Sequence, residues 1–279
     1  MELDLEGKVA LVTGGSKGIG AAIAYALARE GADVAICART ESELTARAED
    51  IRKGAGVRVE AIGVDLSKPG EADGAVGEVV KRLGRLDILV NNAGSAPGGT
   101  IEELEEDHWQ QALQLKFMGY VRCMKAAIPV MRQQGGGRIV NVVGNDGVKT
   151  AYWEIAPAAC NAALLIVIQA LAERYGSEGI YINALNPGPV STERMDYLMR
   201  AWAESNGITL EQSLKLHEES IPLKRICRPD EVANVAIFLA SGKASFVNGA
   251  YINVDGGQRK PVVDTLLRHY REERTRASS

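Results

Sequence analysis

The stretch "LVTGGSKGIGAAIA" at residues 11–24 decides the fold, because it joins an apolar strand to a helix through a glycine-rich turn. Gly14, Gly18 and Gly20 have the spacing GxxxGxG. Glycine is needed where a chain turns sharply and where a side chain would collide with a diphosphate. The free N–H groups at the start of the following helix favour that phosphate. A turn of this kind between a first strand and a first helix predicts a dinucleotide site.

Apolar runs alternate with helical patterns along the rest of the chain. Seven runs are typical of strands: 8–14, 33–39, 57–65, 86–94, 138–144, 180–188 and 250–257. Gly31, Gly54 and Gly84 stand where the first three helices are expected to end. The alternation predicts an α/β fold, namely a Rossmann-type doubly wound sheet of seven parallel strands in a single domain. We assign residues 1–257 to this domain.

The domain contains one long insertion, at residues 191–228, after the sixth predicted strand. Its apolar residues recur at helical spacing: Met195, Leu198, Met199 and Trp202. The insertion is either a lid over a pocket or a helix packed on the domain. Residues 258–279 form an arginine-rich tail, which we expect to fray or to reach a neighbouring subunit.

Composition excludes several classes of protein. The net charge of −4 argues against a nucleic-acid partner. No basic segment followed by an apolar run begins the chain, so we expect no secretory signal, and no apolar run is long enough to suggest a membrane span. The four cysteines form no CxxC pattern, which predicts neither a metal site nor a disulfide and favours reduced thiols in the cytoplasm.

Five motifs resemble those of the short-chain dehydrogenase/reductase family. They are TGxxxGxG at 13–20, "VDLS" at 64–67, "NNAG" at 91–94, "NPGPVST" at 186–192 and "INVDGG" at 252–257. The resemblance runs from about residue 5 to residue 257, with the motifs in the family's order. It implies a nicotinamide cofactor and an oxidoreductase activity.

The resemblance also implies the roles of individual residues. The cofactor phosphates would lie on the glycine turn, formed by Gly14, Ser16, Lys17, Gly18, Ile19 and Gly20. The remaining contacts would be Asp65 and Leu66 near the adenine, Asn91, Ala93 and Gly94 along the ribose and nicotinamide, and Pro187, Gly188, Val190 and Thr192 at the carboxamide.

The end of the second strand, "CART", bears on the choice between NAD(H) and NADP(H). An NAD site usually has an acidic residue there, which accepts hydrogen bonds from the ribose 2′-hydroxyl. This chain has Ala38 followed by Arg39, with Lys17 in the glycine turn. Two cations favour a 2′-phosphate, so we predict NADP(H) over NAD(H). The alternative is that Arg39 stacks on the adenine and Lys17 is solvated.

Family members use asparagine, serine, tyrosine and lysine for proton transfer, and all four positions differ here. Spacing places the serine position at Gly144 and the tyrosine position thirteen residues later at Pro157. The lysine position is then Asn161, and the asparagine position, three residues before a glycine, is Lys116. Proline fits the first turn of a helix but carries no proton.

Lysine and asparagine have thus exchanged positions. Desolvation and a nearby oxidised nicotinamide should lower the pKa of Lys116, which could then act as an acid or base near neutral pH. The alternative is a lysine that extends to solvent. Tyr152 is the nearest phenol, unless it packs on the surface. Asn145 and Asp146 follow the fifth strand, where either could polarise a substrate oxygen or simply form a turn.

The helix containing "NAALLIVIQALA" (161–172) is apolar on nearly every face, so both of its sides should be buried. The resemblance implies pairing of the fourth and fifth helices in a homodimer or homotetramer. We therefore predict an NADP(H)-dependent oxidoreductase of small or medium carbonyls or alcohols, with a relay led by Lys116 and supported by Tyr152, Asn161 and Asn145. The alternative is a cofactor-binding protein without redox activity, either a lyase, isomerase or cyclase or a sensor of NADP(H).

Overall fold

The computed structural model describes residues 2–277 and contains one seven-stranded parallel sheet. Its strands are β1 (Val9–Thr13), β2 (Asp33–Ala38), β3 (Val59–Gly63), β4 (Ile88–Asn91), β5 (Gly137–Val142), β6 (Ile180–Pro187) and β7 (Tyr251–Val254). The strand order is β3-β2-β1-β4-β5-β6-β7, and all six pairings are parallel. The predicted doubly wound fold is therefore confirmed.

Helices cover both faces of the sheet. They are α1 (Gly18–Arg29), α2 (Glu41–Ala55), α3 (Glu71–Leu83), α4 (Glu106–Ala112), α5 (Met118–Gln133), α6 (Ile155–Tyr175), α7 (Glu193–Asn206), α8 (Leu210–Ser220), α9 (Pro229–Ala240) and α10 (Pro261–Ala277). A single turn of π-helix, Leu113–Phe117, joins α4 to α5. Such turns often mark functional positions, and this one carries Lys116.

The sequence of β1 shows why this architecture forms. All five of its residues are buried, and the first four alternate between two cores. Val9 and Leu11 pack with residues of α3, α5 and α6 on one face, whereas Ala10 and Val12 pack with residues of α1, α2 and α9 on the other. A parallel sheet covered on both faces needs continuous apolar strands of this kind. Strand order reverses between β1 and β4, where such folds bind ligands at the carboxyl edge.

Two of the three glycines that were predicted to end helices lie at helix ends. Gly84 ends α3 in the left-handed conformation, and Gly31, also left-handed, follows Glu30, the residue that caps α1. The prediction for Gly54 was wrong, since α2 continues to Ala55 and ends at Gly56 with φ of 72°. Gly54 instead allows close packing, because a Cβ there would lie 2.8 Å from Cε2 of Tyr25.

The insertion and the tail pack together beside the sheet. The insertion forms α7 and α8, which contact each other, and the tail forms α10, which packs on α8. Val263 and Leu267 of α10 are buried, so the expectation that the tail frays is wrong up to Ala277. Two apolar side chains at helical spacing anchor it. Residues 278 and 279 lie outside the described residues.

Helix α6 corrects the expectation that no apolar run is long enough to suggest a membrane span. Together with the turn that follows it, residues 155–178 are long and apolar enough to cross a membrane by length and composition. Its buried side chains, including Leu164, Leu165 and Ile168, belong to the core beneath the sheet. That packing is typical of a core helix rather than a membrane span. Ile166, on the opposite side, is 68% exposed.

Candidate active site

A cleft of about 1210 Å³ lies along the carboxyl edge of the sheet. Its walls come from the segments after the first six strands, β1 to β6, together with α7 and the start of the tail. We call the part lined by residues 14, 16–19, 37–40 and 64–66 the glycine-loop end. We call the part lined by Lys116, Gly144, Asn145, Asp146, Pro157 and Asn161 the Lys116 end.

The glycine turn is closed tightly on itself. A Cβ at Gly20 would lie 2.2 Å from the Gly14 carbonyl oxygen, and one at Gly14 would lie 2.9 Å from the Ala93 Cα. Thr13 Oγ1 accepts hydrogen bonds from the backbone N–H groups of Asn92 and Ala93, at 2.9 Å each. These bonds join the loops after β1 and β4. Helix α1 begins at Gly18, which lines the cleft. The free N–H groups of its first turn can bind a phosphate there.

Nearly all the predicted cofactor positions line this cleft. They are Gly14, Ser16, Lys17, Gly18, Ile19, Arg39, Asp65, Leu66, Ala93, Gly94, Pro187, Gly188, Val190 and Thr192. Gly20 does not line the cleft, but its backbone packs closely against Gly14 and the turn depends on that contact. The placement of Asn91 along the ribose needs correction, because Asn91 is fully buried and donates to Asn141 Oδ1 at 2.9 Å. Its neighbour Asn92 lines the cleft instead and donates to the Thr13 and Gly14 carbonyls.

Three cations lie at the glycine-loop end. Lys17 has two carboxylates nearby, Glu43 at 3.6 Å and Glu193 at 3.8 Å. Arg39 is exposed and forms no ion pair within the described part of the chain. Arg47 donates to the Ser16 carbonyl at 3.1 Å and lines the same wall. The position of Arg47 could not be predicted from the sequence, because only the packing of α2 on the glycine turn brings it there.

Lys116 is buried at the other end, not extended to solvent. It is 8% exposed, and its Nζ donates to Tyr120 Oη at 3.1 Å and to the Val142 carbonyl at 3.0 Å. Gly94 makes room for the side chain, since a Cβ at that position would lie 2.7 Å from Lys116 Cδ. Burial lowers the pKa of Lys116 from 10.5 to about 8, a shift that Asp146 opposes and Arg194 increases. The expected direction of the shift is confirmed.

The three other altered positions meet Lys116 in the same cleft. Gly144, Pro157 and Asn161 all line it. Asn161 Nδ2 donates to Asp146 Oδ1 at 2.7 Å, and this pair occupies the space that a side chain at position 144 would need. A Cβ on Gly144 would lie 2.6 Å from Asp146 Oδ1 and 2.8 Å from Asn161 Nδ2. A carboxylate and an amide thus fill the space beside Gly144, where spacing predicts the family's serine.

Asn161 also carries an unsatisfied group. Its Oδ1 is buried and has no hydrogen-bond partner within the described residues. A buried acceptor without a partner is costly in a native protein and usually marks a site for a ligand or water. A cofactor hydroxyl could donate to this oxygen. Together with the glycine turn, the unsatisfied oxygen fits a nicotinamide dinucleotide.

Two predicted catalytic side chains do not take the expected positions. Tyr152 is 62% exposed and packs edge-on against Trp153, with ring centroids 4.8 Å apart, and Trp153 lines the cleft instead. Asn145 does line the cleft, but its Nδ2 donates to Gln258 Oε1 at 2.9 Å. It therefore fixes the tail to the loop after β5. Neither orientation can be derived from spacing, because each depends on which loop side chain turns inward.

The outer wall combines apolar and charged groups. The apolar residues of α7, namely Met195, Leu198, Met199 and Trp202, all line the cleft. Arg194 of the same helix donates to Ser95 Oγ at 2.9 Å and to the Ala96 carbonyl at 3.2 Å. Lys260 of the tail forms an ion pair with Glu154 before α6. The sequence carried no signal for these contacts, because their partners lie about a hundred residues apart.

Comparisons with known proteins identify the family to which this chain belongs. Residues 14–259 match the protein family described as enoyl-(acyl carrier protein) reductase. A short-chain dehydrogenase/reductase of Aspergillus oryzae is 35% identical over 258 residues, which cover 92% of this chain and 96% of the relative. The chain belongs to the short-chain dehydrogenase/reductase family, and it is an oxidoreductase of that family.

Solved structures of similar proteins include complexes with both nicotinamide cofactors. L-sorbose reductase from Gluconobacter frateurii, complexed with NADPH and L-sorbose, is 35% identical with a TM-score of 0.88, covering 93% of this chain and 99% of its own. A 7α-hydroxysteroid dehydrogenase complexed with NADH is 26% identical with a TM-score of 0.85, covering 92% and 96%. These likenesses support a nicotinamide cofactor for the cleft.

Proposed function

We propose that this chain is an NADP(H)-dependent oxidoreductase of small or medium carbonyls or alcohols, in which Lys116 takes the proton-transfer role of the family's tyrosine. The observation that carries the proposal is the buried Lys116 ammonium, which lines the same cleft as the glycine turn. When bound, the reduced nicotinamide supplies hydride to the carbonyl carbon. The glycine turn and the segment from Pro187 to Thr192 would hold the cofactor.

The hydrogen bonds of Lys116 suit a proton donor. An ammonium has three N–H bonds, and two of them point to Tyr120 and Val142. The third is available to a carbonyl oxygen in the cleft. After donating it, the neutral amine keeps the other two bonds, so the side chain need not move between protonation states. A pKa of about 8 places both states within reach near neutral pH.

Asp146 and Asn161 support this arrangement. Asp146 opposes the loss of charge on Lys116, and it is itself held by Asn161 Nδ2. The unpaired Oδ1 of Asn161 would accept a hydrogen bond from a cofactor ribose hydroxyl, in place of the donor that the family's lysine provides. The exchange of lysine and asparagine would thereby keep both a proton donor and a ribose contact.

The preference for NADP(H) rests on the charges at the glycine-loop end. Arg39 follows β2, and Arg47 lines the same wall. No acidic residue stands at the end of β2, where an NAD site would use one. We expect Arg39→Gln to weaken NADPH binding about 10-fold while leaving NADH binding nearly unchanged, because a charge-assisted bond to phosphate contributes roughly 1.5 kcal/mol or more. Fluorescence titration of each cofactor measures both affinities.

The direct test of the proposed activity uses purified protein, NADPH and a panel of ketones, aldehydes and oxo acids. Oxidation of NADPH is followed by its absorbance. The wild type should consume NADPH with at least one member of the panel, and Lys116→Met should bind NADPH normally while losing this activity. Failure of the wild type to turn over any carbonyl, despite tight NADPH binding, would contradict the proposal.

A second candidate function is cofactor binding without redox chemistry, by a lyase, isomerase, cyclase or NADP(H) sensor. One observation favours it: no tyrosine hydroxyl among the described residues that line the Lys116 end occupies the family's position, which is held by Pro157. The same experiment separates the two functions. Tight binding of NADPH without oxidation by any carbonyl is the outcome expected for the second.

We further propose that the chain forms a homodimer or homotetramer through α5 and α6 and works in the cytoplasm. The exposed side of α6 is apolar, with Ile166 at its centre. The cysteines are free, in keeping with a reducing compartment. Ile166→Asp should dissociate the oligomer in analytical ultracentrifugation. Ile101→Asp, at a site 65% exposed elsewhere on the surface, is the matched control and should leave the assembly unchanged.

A further inference from the structure

The cations of the cleft differ in their partners. Six lysine and arginine side chains line it within the described residues: Lys17, Arg39, Arg47, Lys116, Arg194 and Lys260. Lys17, Arg47 and Lys260 form ion pairs with carboxylates. Arg39 and Lys116 have the roles proposed above. Arg194 is the remaining cation without an ion pair in the described chain. It contributes to the lowered pKa of Lys116, but neither proposed role gives its guanidinium a ligand.

The guanidinium of Arg194 is held in place by neutral groups. It is the second residue of α7, and it reaches across to the loop after β4, where Ser95 Oγ and the Ala96 carbonyl accept from it. A guanidinium has five N–H donors, so three remain after these two hydrogen bonds. Arg194 as a residue is exposed to solvent, but partial burial of its guanidinium against the loop after β4 lowers its pKa. A positioned, partly dehydrated guanidinium with free donors favours an anionic ligand.

The carboxylates that face Arg194 are already engaged. Asp146 and Glu154 are close enough to influence its charge. Asp146 accepts a hydrogen bond from Asn161, and Glu154 pairs with Lys260. Neither forms an ion pair with Arg194. Three cations of the cleft, Lys116, Arg194 and Lys260, therefore lie with these two carboxylates, which leaves net positive charge for a ligand.

Apolar residues lie beside this charge. Met195, Leu198 and Met199 follow Arg194 on α7 and line the same cleft. A ligand here would meet a cation next to an apolar wall, with the Lys116 ammonium deeper in the cleft. Such surroundings suit a molecule with a carboxylate at one end, an apolar chain and a reacting carbonyl or hydroxyl at the other.

We propose that Arg194 binds the carboxylate of the substrate, so that the substrate is an oxo acid or the corresponding hydroxy acid. This inference rests on the proposed function, because it places the reacting carbon near Lys116. The cofactor's diphosphate is the other source of a suitable anion, and the test separates the two.

The test measures binding without turnover. Straight-chain oxo acids, beginning with levulinate, and their matching methyl esters are titrated by calorimetry into the enzyme with NADP⁺, which cannot reduce a ketone. The variants are Arg194→Gln, Arg194→Lys and Arg200→Gln, the last an exposed arginine of the same helix that does not line the cleft. Thermal melting checks that each variant is folded, and the affinity for NADPH is measured separately.

We expect the wild type to bind at least one acid about 10- to 100-fold more tightly than its ester, the range of a charge-assisted hydrogen bond. Arg194→Gln should abolish that preference and leave ester and NADPH affinities unchanged, Arg194→Lys should keep part of it, and Arg200→Gln should keep all of it. Equal binding of acids and esters across the series would overturn the proposal. So would an Arg194→Gln variant that weakens NADPH binding and keeps the acid preference, because the arginine would then serve the cofactor phosphates. A wild-type protein that does not bind NADPH would instead contradict the proposed function.

Discussion

The two ends of the cleft lie in one cavity but depart from the family pattern to different degrees. At the glycine-loop end, the turn from Gly14 to Gly20 keeps its spacing, and its atoms are so close that substitution would be disruptive. At the Lys116 end, spacing predicts that the four proton-transfer positions carry other residues, and the four residues concerned line one space. Backbone geometry fixes the first end. At the second, side chains supply the chemistry, and a different set can fill the same space.

The largest expected effect falls on the Lys116 end. Lys116→Met should lower kcat for carbonyl reduction by about 10²- to 10⁴-fold, the usual contribution of an acid–base group, and change the NADPH affinity little. Lys125→Met, at an exposed position of α5, is the control. Stopped-flow measurement of NADPH oxidation gives the rate. An unchanged rate would remove Lys116 from the mechanism.

The next effect tests the glycine-loop end. Gly20→Ala should weaken NADPH binding by roughly 100-fold, because the new Cβ would overlap the Gly14 carbonyl oxygen and displace the turn. Gly77→Ala on α3 adds the same atom where nothing lies within 4 Å. That control should leave the affinity unchanged and stabilise its helix by about 0.5–1 kcal/mol. Equal affinities in both variants would show that the turn does not define the phosphate site.

A third prediction concerns the burial of Lys116. Its pKa is about 8 in the folded protein and 10.5 in the unfolded chain. Between these values the unfolded chain holds a proton that the native site has released, so the free energy of unfolding should rise with pH. The rise should be about 2–3 kcal/mol from pH 7.5 to pH 10.5, relative to Lys116→Met, in urea denaturation at each pH. Parallel curves for the two proteins would mean that the ammonium is hydrated in the native state.

The smallest effect concerns the position of the family's serine. Gly144→Ser should destabilise the protein by about 1–3 kcal/mol, because φ is 132° there and the new Cβ would meet Asp146 and Asn161. Gly63→Ser, with open space around it and no positive φ, is the control. A Gly144→Ser variant that is stable and more active would show that the site still accepts the family's arrangement.

The difference between the two ends also explains what could be predicted from the sequence. Gly14, Gly18, Lys116, Gly144 and Asn161 follow or flank strand and helix ends whose spacing is regular, so counting residues was enough to bring them together. The parallel sheet places all such ends at one edge. Spacing therefore predicted that the glycine turn and the residues assigned to proton transfer lie at one edge of the sheet. The assignment of those residues to the family's proton-transfer positions stays a prediction.

Other features depend on packing that spacing does not encode. Arg47, Arg194 and Lys260 reach the cleft from α2, α7 and the tail, whose positions follow from helix packing. Tyr152 was predicted to turn inward, but Trp153 takes that place. Asn91 and Asn92 are adjacent and alike in sequence, and only the first is buried by the sheet. The direction of side chains in loops and the contacts between distant helices could therefore not be predicted from residue spacing.

The pH dependence of kcat/KM for carbonyl reduction tests most directly whether a lysine has replaced the family's tyrosine. The wild-type value should be constant at lower pH and fall above about pH 8, as the Lys116 ammonium loses its proton, whereas alcohol oxidation should rise through the same range. In Lys116→Met the inflection near pH 8 should disappear from the residual rate. A Lys116→Met profile with the wild-type inflection and undiminished rate would contradict the assignment of Lys116 as the proton donor.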